Sequence, residues 1–345
     1  MKILIIGGTG NISSSITNQI LHAGHDLTIF TLPESDSTSK NSPIPEDAKS
    51  LLGDRRDYEK FDQMMKKAGS FDCVIDMFCF SPSDAESTIR SFRGKTSQVI
   101  FTSTVDVYTK KEIGYPLNEH SERKPSPSFG YAFEKEKCER LFEKAHFRGD
   151  FQLTVIRPAH TYSRFFIHTL GWGTYFLDRI RKGKPMIVHG DGSSIWVATH
   201  SDDVARAYLG AIGNKKAFGK AYNLAGDEWM TWNAYHQILA KAIAAPEPEL
   251  IHIPTDILVK IAPENAHWCE MNFSHNNIFN TTAAKEDLGF QYTIAWEQGS
   301  RLGYEWLNQR GLIENCNNYQ FYDDIIDNWR DLKVGITRLM KPQDL

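Results

Sequence analysis

Tyr131 and Lys135 stand four residues apart in a stretch, 129–144, whose apolar spacing predicts a helix. On a helix that spacing puts both on one face, a turn apart. A lysine cation beside a phenol favours the phenolate and lowers a pKa that starts at about 10. The pair is therefore a candidate general base for a hydroxyl proton near neutral pH. Tyr-x-x-x-Lys is common by accident, but an earlier apolar run, 98–103, leads into Thr102-Ser103-Thr104 and adds hydroxyls. A second chemical signal is Gly7-Gly8-Thr9-Gly10-Asn11-Ile12-Ser13. Glycines in such a turn let a pyrophosphate approach the backbone and a helix N-terminus. Gly7, Gly10, Asn11 and Ile12 are the expected dinucleotide contacts, and small Ser13 fills the third glycine position.

These groups need a scaffold, and the first half of the chain spells one. Apolar runs at 3–6, 26–32, 49–52, 73–78, 98–103 and 152–157 predict strands, and helical spacing occupies 14–23, 58–68, 85–92 and 129–144. Alternation of this kind predicts an α/β fold, a Rossmann doubly wound parallel sheet with helices on both faces. The glycine turn then falls between first strand and first helix, the context that gives it meaning. Residues 35–47, rich in Ser, Pro and Asp, read as a loop. Beyond Pro158 the pattern loosens into a smaller mixed C-terminal substrate-binding lobe. The expected division is 1–165 as the dinucleotide-binding domain, with 195–225 packing back on it through a helix over 202–212. The lobe would comprise 166–194 and 226–345.

The second strand ends in Thr31, where an acidic residue usually meets the adenosine ribose, so NAD and NADP both remain open. Glu34 and Asp36 nearby would repel a 2′-phosphate and incline the site toward NAD. Asp54, after the third strand, is placed to meet the adenine amino group, although a helix cap explains it almost as well.

With 345 residues, 41% hydrophobic and 24% charged, the chain reads as ordinary globular protein. A net charge of -4 offers no basic field for nucleic acid. No apolar run approaches the roughly 18 residues of a membrane span. Five scattered cysteines lack a CxxC pair, and the histidines lack ligand spacing, so no metal is expected. Reduced thiols point to the cytoplasm.

Taken with Thr104-Val105-Asp106-Val107-Tyr108, Arg157-Pro158, Gly190-Asp191-Gly192 and His200–Ala205, these motifs resemble the extended short-chain dehydrogenase/reductase family, especially its NAD-dependent epimerase/dehydratase branch. The resemblance covers nearly the whole chain. It implies Thr104 as the hydroxyl that polarises substrate, Tyr131 as acid/base, and Lys135 as holder of the nicotinamide ribose, with Ser103 assisting. Pro158 would lie on the cofactor side. Asp106 matches the place of a carboxylate that deprotonates carbon in some members, while a solvated or hydrogen-bonded loop carboxylate is the equal alternative. Val105 stands where dehydratases carry an acid.

Two substrate positions depart from the family: Trp196 replaces an arginine that grips diphosphate, and His160 replaces an asparagine. A neutral side chain does not replace a guanidinium fork. The aromatics Phe165, Phe166, Trp172, Tyr175 and Trp196 could stack on a sugar or base, although core packing is the simpler reading. The resemblance implies an enzyme of sugars or sugar nucleotides working through a transient ketone, and a homodimer. Competing readings are a net NAD(P)H-dependent reductase and a non-catalytic dinucleotide-sensing or RNA-binding relative.

Overall fold

The computed structural model describes residues 1–33, 43–110 and 114–339. Glu34, Asp36 and much of the loop expected over 35–47 lie outside the described residues. The chain forms two compact units. The first comprises Met1–Ser163, Val197–Glu228 and Ile278–Ala295, and the second comprises Arg164–Trp196, Trp229–Asn277 and Trp296–Leu345.

The first unit begins β1 (Lys2–Ile6), α1 (Ser13–His22), β2 (Asp26–Thr31), β3 (Lys49–Leu52), α2 (Tyr58–Ala68), β4 (Phe71–Asp76), α3 (Pro82–Phe92) and β5 (Thr96–Thr102). It continues through α4 (Gly130–Phe147), β6 (Gln152–Pro158) and β7 (His160–Tyr162). In the second unit follow β8 (Ile167–His168), β9 (Gly171–Trp172), α5 (Tyr175–Arg181), β10 (Met186–His189) and β11 (Ile195–Trp196). The chain re-enters the first unit with β12 (Ala198–His200), α6 (Ser201–Ala211) and β13 (Lys220–Leu224). The second unit resumes with β14 (Met230–Thr231), α7 (Trp232–Ala242), β15 (Leu250–Ile253), α8 (Thr255–Ile261) and α9 (Pro263–Trp268). After α10 (Thr282–Leu288), which belongs to the first unit, come α11 (Trp296–Gln309) and α12 (Gln320–Leu339).

Seven strands make one parallel sheet in the order β13-β6-β5-β4-β1-β2-β3. Alternation along β1 decides which side each residue serves. Ile3 and Ile5 join a core with Ile16 and Ile20 of α1 and Val204 and Tyr208 of α6. Leu4 and Ile6 join the opposite core with Phe61, Ile89 and Phe142 of α2, α3 and α4. Each such fully buried aliphatic side chain stabilises the fold by about 1.5–3 kcal/mol. Strand order reverses between β1 and β4, so a crevice opens at the carboxyl edge there, the usual ligand place in open α/β sheets.

The helix expected over 85–92 starts three residues earlier, because Ser81 and Asp84 form a capping box and Pro82 occupies the first turn. Ile278–Ala295, expected in the lobe, belongs with the sheet unit instead. Leu117 bridges to Phe279, and Ala284 and Leu288 of α10 enter the core beneath α6. The second unit pairs β10 with β15 and β11 with β14, around packed Trp196, Trp232 and Phe273. All five cysteines are buried and free. Among the described residues no helix is long and apolar enough to cross a membrane.

Candidate active site

The glycine turn follows β1 directly. Gly7 has φ of +86°, a region that favours glycine, and a Cβ on Gly8 would lie 2.7 Å from Ile29 Cγ2. The turn therefore packs its backbone against β2 where a side chain would intrude. Ser13 is buried, and its hydroxyl accepts the Gly10 N–H at 2.8 Å. Asn11 donates to Thr161 O at 3.0 Å and accepts from the Ser163 hydroxyl at 2.7 Å, tying the turn to the end of β7. Ile12 packs on the sheet core. Pro158 closes β6 beside Leu224, buried.

Next to the turn lies a cavity of about 320 Å³, lined by Gly7, Thr9, Thr31, Asp54, Arg56 and Phe78, among others. Thr31 and Thr9 hydroxyls sit 3.4 Å apart. Asp54 is exposed and accepts the Arg56 N–H at 2.8 Å, while the cap of α2 is Asp57, which accepts from Lys60 N–H at 3.2 Å. The capping alternative for Asp54 therefore falls to a neighbour, and its carboxylate borders the cavity. Arg55, also part of the cavity lining, is buried, with its guanidinium bonded to Thr88 Oγ1 at 2.7 Å and Ser87 Oγ at 3.1 Å. The residues present fit a dinucleotide: a side-chain-free backbone turn, a cavity beyond it and polar groups on its rim.

Thr104 follows β5 and opens a short 3-10 turn, Val105–Val107. Its hydroxyl donates to Asp106 Oδ2 at 3.2 Å and accepts the Asp106 N–H at 3.2 Å. Tyr131, in the first turn of α4, is 37% exposed as a residue, while its hydroxyl meets Thr104. Lys135 is buried one turn later and donates to Thr102 O at 2.7 Å, with its ammonium 4.5 Å from the Phe80 ring. Thr104, Asp106, Tyr131 and Lys135 are thus brought together at the carboxyl edge of β5.

Charge around Tyr131 differs from the expectation. Burial raises its pKa, the Asp106 carboxylate raises it further, and the Thr104 hydrogen bond lowers it, with a net shift upward. Lys135 gives one N–H to a backbone carbonyl and is not among the groups that shift Tyr131, whose pKa is set by burial, Asp106 and Thr104. Burial also pushes the Lys135 pKa down. Asp106 is largely buried rather than solvated, and it forms an ion pair with Lys110 at 3.1 Å.

The remaining candidates separate. Ser103 is buried with its hydroxyl toward Glu139, a carboxylate held by Arg157 at 2.8 Å. His160 stacks on Tyr162, and burial drives its pKa down to about 3, so the imidazole is neutral. Trp196, expected at the substrate, is 3% exposed and sits in the aromatic core of the second unit, 4.9 Å from Trp232 and 5.1 Å from Phe273. Its indole contributes packing, which explains a tryptophan where the family carries a guanidinium. Phe166 and Tyr175 are also buried, whereas Phe165 and Trp172 are exposed and stack on each other at 5.1 Å. Sequence reasoning missed Phe78, Phe80 and Lys110. Phe78 borders the cavity and packs on Phe80, which approaches Tyr131 at 6.5 Å. Their position just beyond β4 was the available signal. For Lys110 it was the spacing of four from Asp106.

The sequence pattern of the NAD dependent epimerase/dehydratase family matches residues 3–225. The chain belongs to this enzyme family, of extended short-chain dehydrogenase/reductase type. Among its relatives is the chloroplast stem-loop binding protein of 41 kDa b of Arabidopsis thaliana, 29% identical over 259 residues. That match takes in 73% of this chain and 65% of the plant protein, just under two thirds of its length. The 2'-dehydrokanamycin reductase of Streptomyces kanamyceticus is 22% identical over 255 residues, 71% of this chain and 68% of that one. The fold is shared with the UDP-glucose 4-epimerase of Thermotoga maritima, solved with UDP-glucose. Its TM-score is 0.72 at 20% identity, over 90% of this chain and 99% of that one.

Proposed function

We propose that the protein is an NAD(P)-dependent epimerase/dehydratase-type enzyme that oxidises a hydroxyl-bearing carbon of a sugar or sugar nucleotide to a transient ketone. The observation that carries this reading is the meeting of Thr104, Asp106 and Tyr131 beyond β5, two strands from the glycine turn on the same sheet edge. Strand spacing puts those two edges on the order of 10 Å apart, within reach of one dinucleotide. Gly7, Gly10 and Asn11 would hold the pyrophosphate, Asp54 and Thr31 the adenosine, and Lys135 the nicotinamide ribose. When bound, the cofactor supplies a hydride acceptor and donor. Thr104 orients the reacting hydroxyl, and Tyr131 takes its proton and later returns it. Asp106, held by Lys110 and Thr104, keeps both oxygens engaged. That favours epimerisation or net redox at one carbon over removal of a neighbouring carbon-bound proton.

Two relatives bear on further readings. A relative named as a reductase favours net carbonyl reduction as the second reading. A relative named for stem-loop binding keeps an RNA-binding role in view, against which stand the charge of -4 and the assembled Tyr131 site. We assign the chain to the cytoplasm and to a homodimer formed through α4 and its neighbour, which light scattering tests. The deciding experiment incubates purified protein with NAD or NADP and UDP-glucose, UDP-galactose, UDP-glucuronate or dTDP-glucose in deuterated water. Transient NADH absorbance with a product free of carbon-bound deuterium supports single-carbon epimerisation. Continuous NADPH consumption with a keto substrate favours the reductase. No redox change with any sugar, alongside tight stem-loop binding, would refute both.

A further inference from the structure

Lys110 belongs to none of the motifs above, yet it stands nearer the candidate chemistry than most of them. Its side chain is 9% exposed, its ammonium lies 3.1 Å from Asp106 Oδ1, and the Asp106 side chain is 10% exposed. The other carboxylate oxygen accepts the Thr104 hydroxyl at 3.2 Å. On its far side the ammonium lies 5.9 Å from the Phe279 ring, supplied by a distant part of the chain. An ion pair this withdrawn from water is screened little by salt, and a carboxylate left there without its cation is strongly disfavoured.

We propose that Lys110 is a positioning residue of the hydride-transfer site: it fixes the Asp106 carboxylate against Thr104 and balances its negative charge beside Tyr131. This rests on the reaction proposed above. Thr104 has one proton to donate and Asp106 receives it; with the Asp106 N–H on one lone pair of the Thr104 oxygen, the other is kept toward the Tyr131 hydroxyl. Without Lys110 the Asp106 Oδ1 loses its cation, the carboxylate is held less firmly against Thr104, and its full charge opposes formation of the Tyr131 phenolate. The role calls for a cation rather than a lysine as such, so arginine should serve.

The test has two arms. In the first, protein labelled with nitrogen-15 at lysine gives the Lys110 ammonium resonance, assigned by its loss in Lys110→Met. Asp106→Asn is expected to shift it or exchange it away, and an unmoved resonance would overturn the pairing. In the second arm, transient NADH formation is followed with NAD and the four sugar nucleotides named above. Lys110→Met is expected to lose about tenfold or more in kcat with KM within about threefold, and Lys110→Arg to recover to within about threefold of wild type. Loss of dinucleotide binding by Lys110→Met would mark a folding defect, and Lys110→Met/Asp106→Asn, which removes both charges, then decides: it should bind dinucleotide again. A Lys110→Met protein with kcat near wild type, or an inert Lys110→Arg, would overturn the role. Wild-type protein inert toward every probe overturns the proposed reaction instead, and the ammonium resonance still decides whether Lys110 holds Asp106.

Discussion

At the scale of single residues, Tyr131 is governed by its neighbours more than by its own helix. Burial and Asp106 both push its pKa up, and Thr104 alone pulls it down. A base must lose its proton to work, so turnover should rise with pH through the Tyr131 titration. Removing the Asp106 charge favours the phenolate, and Asp106→Asn should therefore move that limb to lower pH in a rate profile. A limb unmoved or moved upward would show that the carboxylate does not reach the phenol. Tyr131→Phe should cost on the order of 10²–10⁴ in turnover with dinucleotide affinity unchanged by equilibrium titration. Retained turnover would remove Tyr131 from the chemistry.

At the scale of elements, the turn after β1 and the start of α3 carry separable predictions. Gly8→Ala puts a methyl group 2.7 Å from Ile29 Cγ2, an overpacking that costs about 1–3 kcal/mol. Thermal unfolding should show that loss, and titration should show weaker dinucleotide binding because the turn must shift. Stable protein with native affinity would mean that the backbone relaxes freely there. At α3, Ser81→Ala removes half of a capping box and should cost about 1 kcal/mol without touching dinucleotide affinity. The cap also shows why the helix start was missed in the sequence: apolar spacing begins at Ala85, but the first turn is held by side-chain bonds and Pro82.

For the whole molecule, acid should act through histidines that burial keeps neutral, His160 in the first unit and others in the second. His168 and His236 are fully buried there, and burial pushes each pKa from 6.5 down to about 3. The folded protein keeps both neutral, while the unfolded chain binds protons below 6.5. Stability from this source is complete above 6.5 and lost as pH falls toward 3, by roughly 1.4 kcal/mol per unit for each histidine. Thermal midpoints should fall over that window, and a His168→Gln/His236→Gln variant should show a shallower slope. Parallel slopes would place the acid sensitivity elsewhere.

Local spacing alone determined the glycine turn, the pairing of Tyr131 with Lys135 on one helix face, and the alternation that makes a parallel sheet. Each depends on backbone periodicity over a few residues, which the sequence records directly. The tertiary structure decided the charges and the burial. Lys135 turned to Thr102 O, Lys110 came to Asp106, Trp196 went into an aromatic core, and Ile278–Ala295 joined the sheet unit. These outcomes depend on which distant groups share a low-dielectric space, and electrostatic and packing energies of that kind are set by distance in the fold rather than separation along the chain.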